Sequence, residues 1–192
     1  ENGDTAMMLY GSAGTGKTML AIYHALTDVL YKESDITKLV IIRSCVQSRQ
    51  MGFTPGDANE KMQPYENNYI EIVGKLLNSK GAYEKMKEVG MIEFASTSFL
   101  RGTTFDDCVM VVDEAQNMNW QEINTILTRV GRNCKLILCG DGLQNDLIYA
   151  KSDQSGFGDL LNMTKHMPDF RHFKFTSSDI VRSEFVKSWI MA

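Results

Sequence analysis

A parallel β-sheet covered by helices on both faces is the fold class this sequence predicts, on three observations. Short apolar runs alternate with longer stretches of helical period along the chain. Two runs, Leu39-Val-Ile-Ile42 and Val109-Met-Val-Val112, are apolar throughout, as strands buried on both faces must be. The first run, Ala6 to Tyr10, passes straight into Gly11-Ser-Ala-Gly-Thr-Gly-Lys-Thr18 and then a helical pattern. At 192 residues the chain suits one α/β domain over 1–192, with no repeat, linker or low-complexity tract.

The elements follow in order. Met19, Leu20, Ile22, Tyr23, Leu26, Val29 and Leu30 keep a helical period through Tyr31, and Leu39 to Ile42 is a strand closed by Arg43. Met51-Gly-Phe-Thr-Pro-Gly-Asp57 is a long loop of the functional kind. Tyr69, Ile72, Val73, Leu76 and Leu77 mark the next helix, and Tyr83 to Glu88 reads as a polar, short helical linker. Met91 to Ala95 and Val109 to Val112 are strands. A helix follows with Trp120, Ile123, Leu127 and Val130 on one face, Asn119 as its N-cap and Glu122 in its first turn. Lys135 to Cys139 is a fifth strand; the remainder gives a helix near Asp159 to Met163, a strand at His172 to Phe175 and a last helix from about Ser183.

Gly11 to Thr18 fits G-x-x-x-x-G-K-S/T, which binds phosphate for a physical reason. A helix N-terminus carries unpaired N–H groups and the positive end of the helix dipole. Gly11, Gly14 and Gly16 remove the Cβ atoms that would hold the backbone away from a phosphate, while Ser12, Ala13 and Thr15 complete the turn. Lys17 supplies a charge to the β- and γ-phosphates, and Thr18 a hydroxyl to Mg²⁺.

The buried strand ending at Asp113-Glu114 is a Walker B element: Asp113 anchors Mg²⁺, and Glu114 polarises the water that attacks the γ-phosphate. Gly140-Asp141-Gly-Leu-Gln144 closes the next strand, and Gln144 is placed to sense the γ-phosphate. Together with Asp113-Glu-Ala-Gln116 it forms the ordered set of the first motor domain of superfamily 1 helicases. A cation must neutralise the leaving phosphate, and the arginine candidates are Arg43, Arg101, Arg129, Arg132 and Arg182. Arg182 leads, then Arg129, Arg101 and Arg43.

The net charge of −4 and pI of about 5.4 give no overall basic field for nucleic acid. Lys165, His166, Arg171, His172 and Lys174, interleaved with Phe170, Phe173 and Phe175, form a modest basic patch that reads first as a half-buried strand. Cys45, Cys108, Cys134 and Cys139 match no zinc spacing and read as reduced thiols; His24, His166 and His172 show no ligand spacing either. No apolar stretch reaches membrane-spanning length and no signal peptide is evident, so a cytoplasmic location is expected.

These motifs resemble the PhoH-like ATPases of bacteria and their phages over nearly the whole chain. The specific marks are Gly52-Phe-Thr-Pro-Gly-Asp57 with Glu60-Lys61 and Pro64-Tyr65, Phe99-Leu-Arg-Gly102, Asp113-Glu-Ala-Gln-Asn117, Leu127-Thr-Arg-Val-Gly131, and Thr176-Ser-Ser-Asp-Ile-Val-Arg182. The resemblance implies a RecA-like P-loop NTPase domain using ATP and Mg²⁺, coupled to RNA or single-stranded DNA. It also implies a homo-oligomer, a ring such as a hexamer, in which Arg182 or Arg129 reaches a neighbour's γ-phosphate. The segment that cradles adenine in relatives is expected to be missing before the first strand. Two other classes remain: a nucleotide-switched interaction protein with little turnover, and a small-molecule kinase, which Asp113-Glu-Ala-Gln116 fits poorly.

Overall fold

A computed structural model describes residues 6–44, 58–97, 100, 102–141 and 155–191. Six strands form one sheet: β1 (Ala6–Gly11), β2 (Lys38–Arg43), β3 (Ile92–Ser96), β4 (Cys108–Asp113), β5 (Cys134–Gly140) and β6 (Phe170–Phe175). Their order is β3-β2-β4-β5-β1-β6 and every pairing is parallel. The C-terminal ends of all six strands therefore share one edge, where ligand crevices of open α/β sheets form. Two registers set the site: Tyr10 pairs with Gly140, and Arg43 pairs with Asp113.

The helices are α1 (Lys17–Leu30), α2 (Ala58–Leu76), α3 (Ala82–Glu88), α4 (Trp120–Leu127), α5 (Phe157–Thr164) and α6 (Glu184–Met191). They cover both faces. Ala21, Ile22, Ala25 and Leu26 of α1, Tyr69 and Val73 of α2, and Tyr83 and Met86 of α3 pack on Leu39, Ile41, Val109, Val111 and Ile137. Ile123 and Ile126 of α4 and Phe157 and Leu160 of α5 pack on Val40, Ile42, Met110, Val112 and Leu138. Alternate residues of one strand thus feed two cores, which is why β4 is buried at every position.

Two expectations need correction. Helix α2 begins at Ala58 rather than near Tyr69, and it carries Pro64 inside it. The stretch before Tyr69 is polar and broken by proline, so it lacks the apolar period that marks a helix. The segment at Tyr83 to Glu88 is a helix but no polar linker. Tyr83 and Met86 are buried, and the Tyr83 hydroxyl donates to Glu66 Oε1 at 2.6 Å, tying α3 to α2. The other elements agree within a few residues, including the Asn119 cap. Its side chain accepts from Glu122 N at 2.9 Å while Glu122 Oε2 accepts from Asn119 N at 3.0 Å. Strand β6 is the half-buried edge expected, with Phe170, His172 and Phe175 partly covered and Arg171, Phe173 and Lys174 exposed.

Cys108, Cys134 and Cys139 are buried free thiols, and Cys45 lies outside the described residues. Among the described residues no cluster of three or more metal-ligating side chains occurs, and no helix is long and apolar enough to cross a membrane.

Candidate nucleotide-binding site

The loop from Gly11 to Thr18 leaves β1 at the shared C-terminal edge and ends in the first turn of α1. Gly11, Gly14 and Gly16 all have positive φ, at 124°, 71° and 82°. At Gly11 the requirement is absolute: a Cβ would lie 1.9 Å from the Phe175 carbonyl oxygen of β6. Gly16 caps α1 without any side-chain hydrogen bond, leaving the first-turn amides directed at the cleft for an anion. Lys17 Nζ donates to the carbonyls of Gly11 at 3.0 Å and Ser12 at 2.7 Å, which holds the ammonium against the loop. Thr15 Oγ1 donates to Ser12 O at 3.0 Å. Val181 N donates to Gly14 O at 3.0 Å, so the segment before α6 fastens the tip of the loop.

Asp113 ends β4 almost fully buried, and both of its carboxylate oxygens are engaged. Thr18 Oγ1 donates to Oδ1 at 2.9 Å, joining two motifs 95 residues apart in sequence. The Tyr69 hydroxyl, from α2, donates to Oδ2 at 2.9 Å. Arg43, at the end of the neighbouring strand, lies over the Tyr65 ring at 5.5 Å. Burial works against the Arg43 cation, but Tyr69, Glu114 and Asp113 outweigh it and its pKa is raised. Burial, followed by the Asp113 charge, pushes the Tyr69 phenol well above its ordinary range. Both effects fix the charges here: a neutral phenol and a permanent guanidinium.

Glu114 adopts a left-handed backbone, φ 55° and ψ 40°, a conformation uncommon for a residue other than glycine. That turns its side chain out of the strand direction and into a 3-10 turn over Ala115–Asn117. Gln116, buried, donates from Nε2 to Glu114 Oε2 at 2.6 Å and accepts from Asp141 N at 3.0 Å through Oε1. The end of β5 and the carboxylate of Glu114 are therefore joined through one amide.

These groups surround a cleft of about 470 Å³. Gly14 to Met19 form its floor, Asn68, Glu71, Ile72 and Lys75 of α2 one wall, and Asp113, Glu114, Gln116 and Asp141 its deep end. Val181 and Arg182 close the opposite side. The oxygen donors at Thr18 and Asp113 suit a hard cation such as Mg²⁺, and the cradle of amides with Lys17 suits a phosphate chain.

The sequence-derived residues divide accordingly. Gly11 to Thr18, Asp113 and Glu114 come together as expected. Arg182 lines the cleft of its own chain, its Cγ 3.0 Å from where a Cβ on Gly14 would sit. Arg129 follows α4 at the other edge of the sheet, where its carbonyl accepts from Phe105 N just before β4. Six residues of β4 separate it from Asp113, about 20 Å at strand rise. Arg132 sits at that same edge, its backbone carbonyl accepting from Asp107 N. Gln144 and Arg101, with the loop at 51–57, lie outside the described residues. The sequence reading missed Tyr69 as a site residue and ranked Arg43 last. The available signal was the strand register, which sets Arg43 beside Asp113 once β2 and β4 are neighbours.

Comparison with known proteins decides the family. Residues 2–192 match the family model described as PhoH-like protein. The chain belongs to the PhoH-like family. A PhoH-like protein of Bacillus subtilis is 34% identical over 183 residues, covering 95% of this chain and 56% of the relative. Protein PhoH of Escherichia coli is 34% identical over 175 residues, covering 90% of this chain and 48% of the relative. A Mycobacterium tuberculosis PhoH-like protein is 30% identical over 190 residues, covering 98% and 53%. The chain thus spans about half the length of these curated relatives. Among solved structures, the Sulfolobus solfataricus SWI2/SNF2 ATPase core in complex with dsDNA aligns at 16% identity and a TM-score of 0.45. That alignment covers 87% of this chain and 40% of the other. The chain is a PhoH-like protein with an α/β fold: the glycine-rich loop follows β1, Asp113-Glu114 close β4, and a parallel sheet lies between two helical layers.

Proposed function

We propose that this chain is a magnesium-dependent ATPase that works as an oligomer on RNA or single-stranded nucleic acid. The observation that carries the ATPase half is the 2.9 Å bond from Thr18 to Asp113, with Glu114 turned out beside it. That bond sets the phosphate loop and the acidic strand end in the geometry triphosphate chemistry needs. In this reading the loop amides and Lys17 bind the β- and γ-phosphates, and Thr18 and Asp113 hold magnesium. The metal supplies charge neutralisation at the phosphate oxygens when bound. Glu114, held by Gln116, orients the attacking water and accepts its proton. Arg182 faces the phosphates from the rim and offsets charge on the leaving group within one chain. Arg129, on the far edge of the sheet, meets a phosphate only in a neighbouring subunit's site. Gln144 retains the role of γ-phosphate sensor.

The nucleic-acid half is supported by family resemblance and by the exposed Arg171, Phe173 and Lys174 on β6. ATP turnover with and without single-stranded RNA tests it: stimulation and salt-sensitive binding are expected. No stimulation and no binding at low salt would remove this half. Light scattering with and without magnesium and ATP tests assembly, and a monomer under every condition contradicts it. The ATP-binding half is tested by Lys17→Ala, which is expected to lose nucleotide binding.

A second reading has one observation in its favour. Val181, bonded to the phosphate loop, and Phe185 and Trp189 of α6 are exposed, at 73%, 80% and 77%. A nucleotide-switched interaction protein would use such a surface with little turnover. ATP-dependent partner binding without phosphate release would select it.

A further inference from the structure

A metal carboxylate must keep one oxygen open to a cation, and residues outside the phosphate-loop motif surround Asp113 in a way that does so. Its strand neighbour in register is Arg43, whose guanidinium is in electrostatic reach of Asp113 and Glu114. A guanidinium this close to a buried carboxylate ordinarily forms a direct, two-pronged ion pair with it. Among the hydrogen bonds described, Asp113 is instead bonded by the hydroxyls of Thr18 and Tyr69, each at 2.9 Å. Arg43 stacks over Tyr65, and its charge acts on the Tyr69 phenol.

The direction of the hydrogen bonds follows from the groups. A carboxylate has no hydrogen to give, so Tyr69 donates to Oδ2. A guanidinium has no acceptor, so Arg43, whose charge acts on the phenol, can meet it only at the Tyr69 oxygen. Tyr69 is fully buried, its ring packed with Phe94 at 5.5 Å between centroids, so the phenol cannot swing away.

We propose that Tyr69 is a positioning residue that stands between Arg43 and Asp113, holding Oδ2 and keeping the guanidinium off the carboxylate so that Oδ1 serves Thr18 and the metal. This rests on the magnesium–nucleotide reading above. It also links helix α2, whose Asn68, Glu71, Ile72 and Lys75 form the cleft wall, to the state of the metal carboxylate. Without the phenol hydroxyl, Arg43 closes directly on Asp113 and competes with the cation.

The test is calorimetric binding of the β,γ-imido analogue of ATP over a magnesium series, with a matched series in EDTA. Tyr69→Phe removes only the hydroxyl. Its half-saturating magnesium concentration is expected to rise about tenfold, with analogue affinity in EDTA unchanged. Adding Arg43→Gln to Tyr69→Phe removes the competing cation and is expected to bring the magnesium midpoint back toward the unaltered protein's. Arg43→Gln alone is expected to lower that midpoint. It carries the test by itself should Tyr69→Phe fail to fold, since a midpoint that rises or stays put overturns the proposal.

For Tyr69→Phe, an unchanged or lowered midpoint overturns it, as does an equal affinity loss in EDTA, which marks a packing role. Absence of any rescue by Arg43→Gln overturns it as well. If the unaltered protein binds the analogue with no magnesium dependence, the magnesium–nucleotide reading fails and takes this one with it. A normal magnesium dependence untouched by Tyr69→Phe sinks only the role of Tyr69.

Discussion

Gly11→Ala isolates the demand that the phosphate loop makes on its backbone. Gly11 has φ 124°, and an added Cβ would meet the Phe175 carbonyl oxygen at 1.9 Å, well inside the ordinary contact limit of 3.4 Å. Holding alanine at that φ costs about 1–3 kcal/mol. Moving the Phe175 carbonyl away breaks the 3.1 Å bond it accepts from Ser12 N, worth about 1 kcal/mol, and loosens the end of the β1–β6 pair. The sum is roughly 2–4 kcal/mol, or about 10 °C in Tm at roughly 2–4 °C per kcal/mol for a chain of this size. Thermal unfolding followed by far-UV circular dichroism reads it. Gly158→Ala is the matched control. It lies exposed within α5, a Cβ there meets nothing within 4 Å, and Tm is expected to rise by roughly 2 °C. A Gly11→Ala protein melting within about 2 °C of the unaltered chain would refute the steric argument.

Two further outcomes are expected. Arg182→Ala slows ATP turnover by roughly 100-fold with a small change in nucleotide affinity, because its charge meets the phosphates from the rim. Arg129→Ala leaves the affinity of monomeric protein untouched, so an affinity loss in the monomer would contradict its place on the far edge. Asp179 is held below its ordinary pKa of 3.8 by the backbone N–H of Thr176 and then by its hydroxyl, at 2.8 and 2.9 Å. A depressed carboxylate contributes above its unfolded pKa and loses that contribution as pH falls through the folded value. The Thr176 amide shift, followed by NMR, should therefore titrate with a midpoint below 3.8, and a midpoint at or above it disproves the cap.

Much of the fold was legible because buried parallel strands announce themselves. Val109 to Val112 is apolar on both faces, and the glycine loop after Tyr10 fixes where β1 ends. The Asn119–Glu122 capping box was readable for the same reason: it is local chemistry. What stayed hidden depends on neighbours in space. Tyr69 looks like one more apolar position of a helix, and only its packing under Asp113 gives its hydroxyl a role. Arg43 ends a strand like many solvated arginines until the order β2-β4 sets it beside the carboxylates. The start of α2 was masked by Pro64 and a polar face, and burial of Tyr83 by its charged neighbours. Arg182 was recognisable as a site arginine, but its place on its own chain's cleft follows from the Val181–Gly14 bond.

The most direct test of the central claim is release of inorganic phosphate from ATP with magnesium, comparing the unaltered chain with Glu114→Gln. In the proposed mechanism Glu114, held by Gln116, handles the attacking water, while the loop amides and Lys17 take the phosphates. The account predicts that the unaltered chain releases phosphate, and that Glu114→Gln binds ATP as tightly while releasing phosphate at least about 100-fold more slowly. Equal rates from the two proteins, or no release from either, would contradict it.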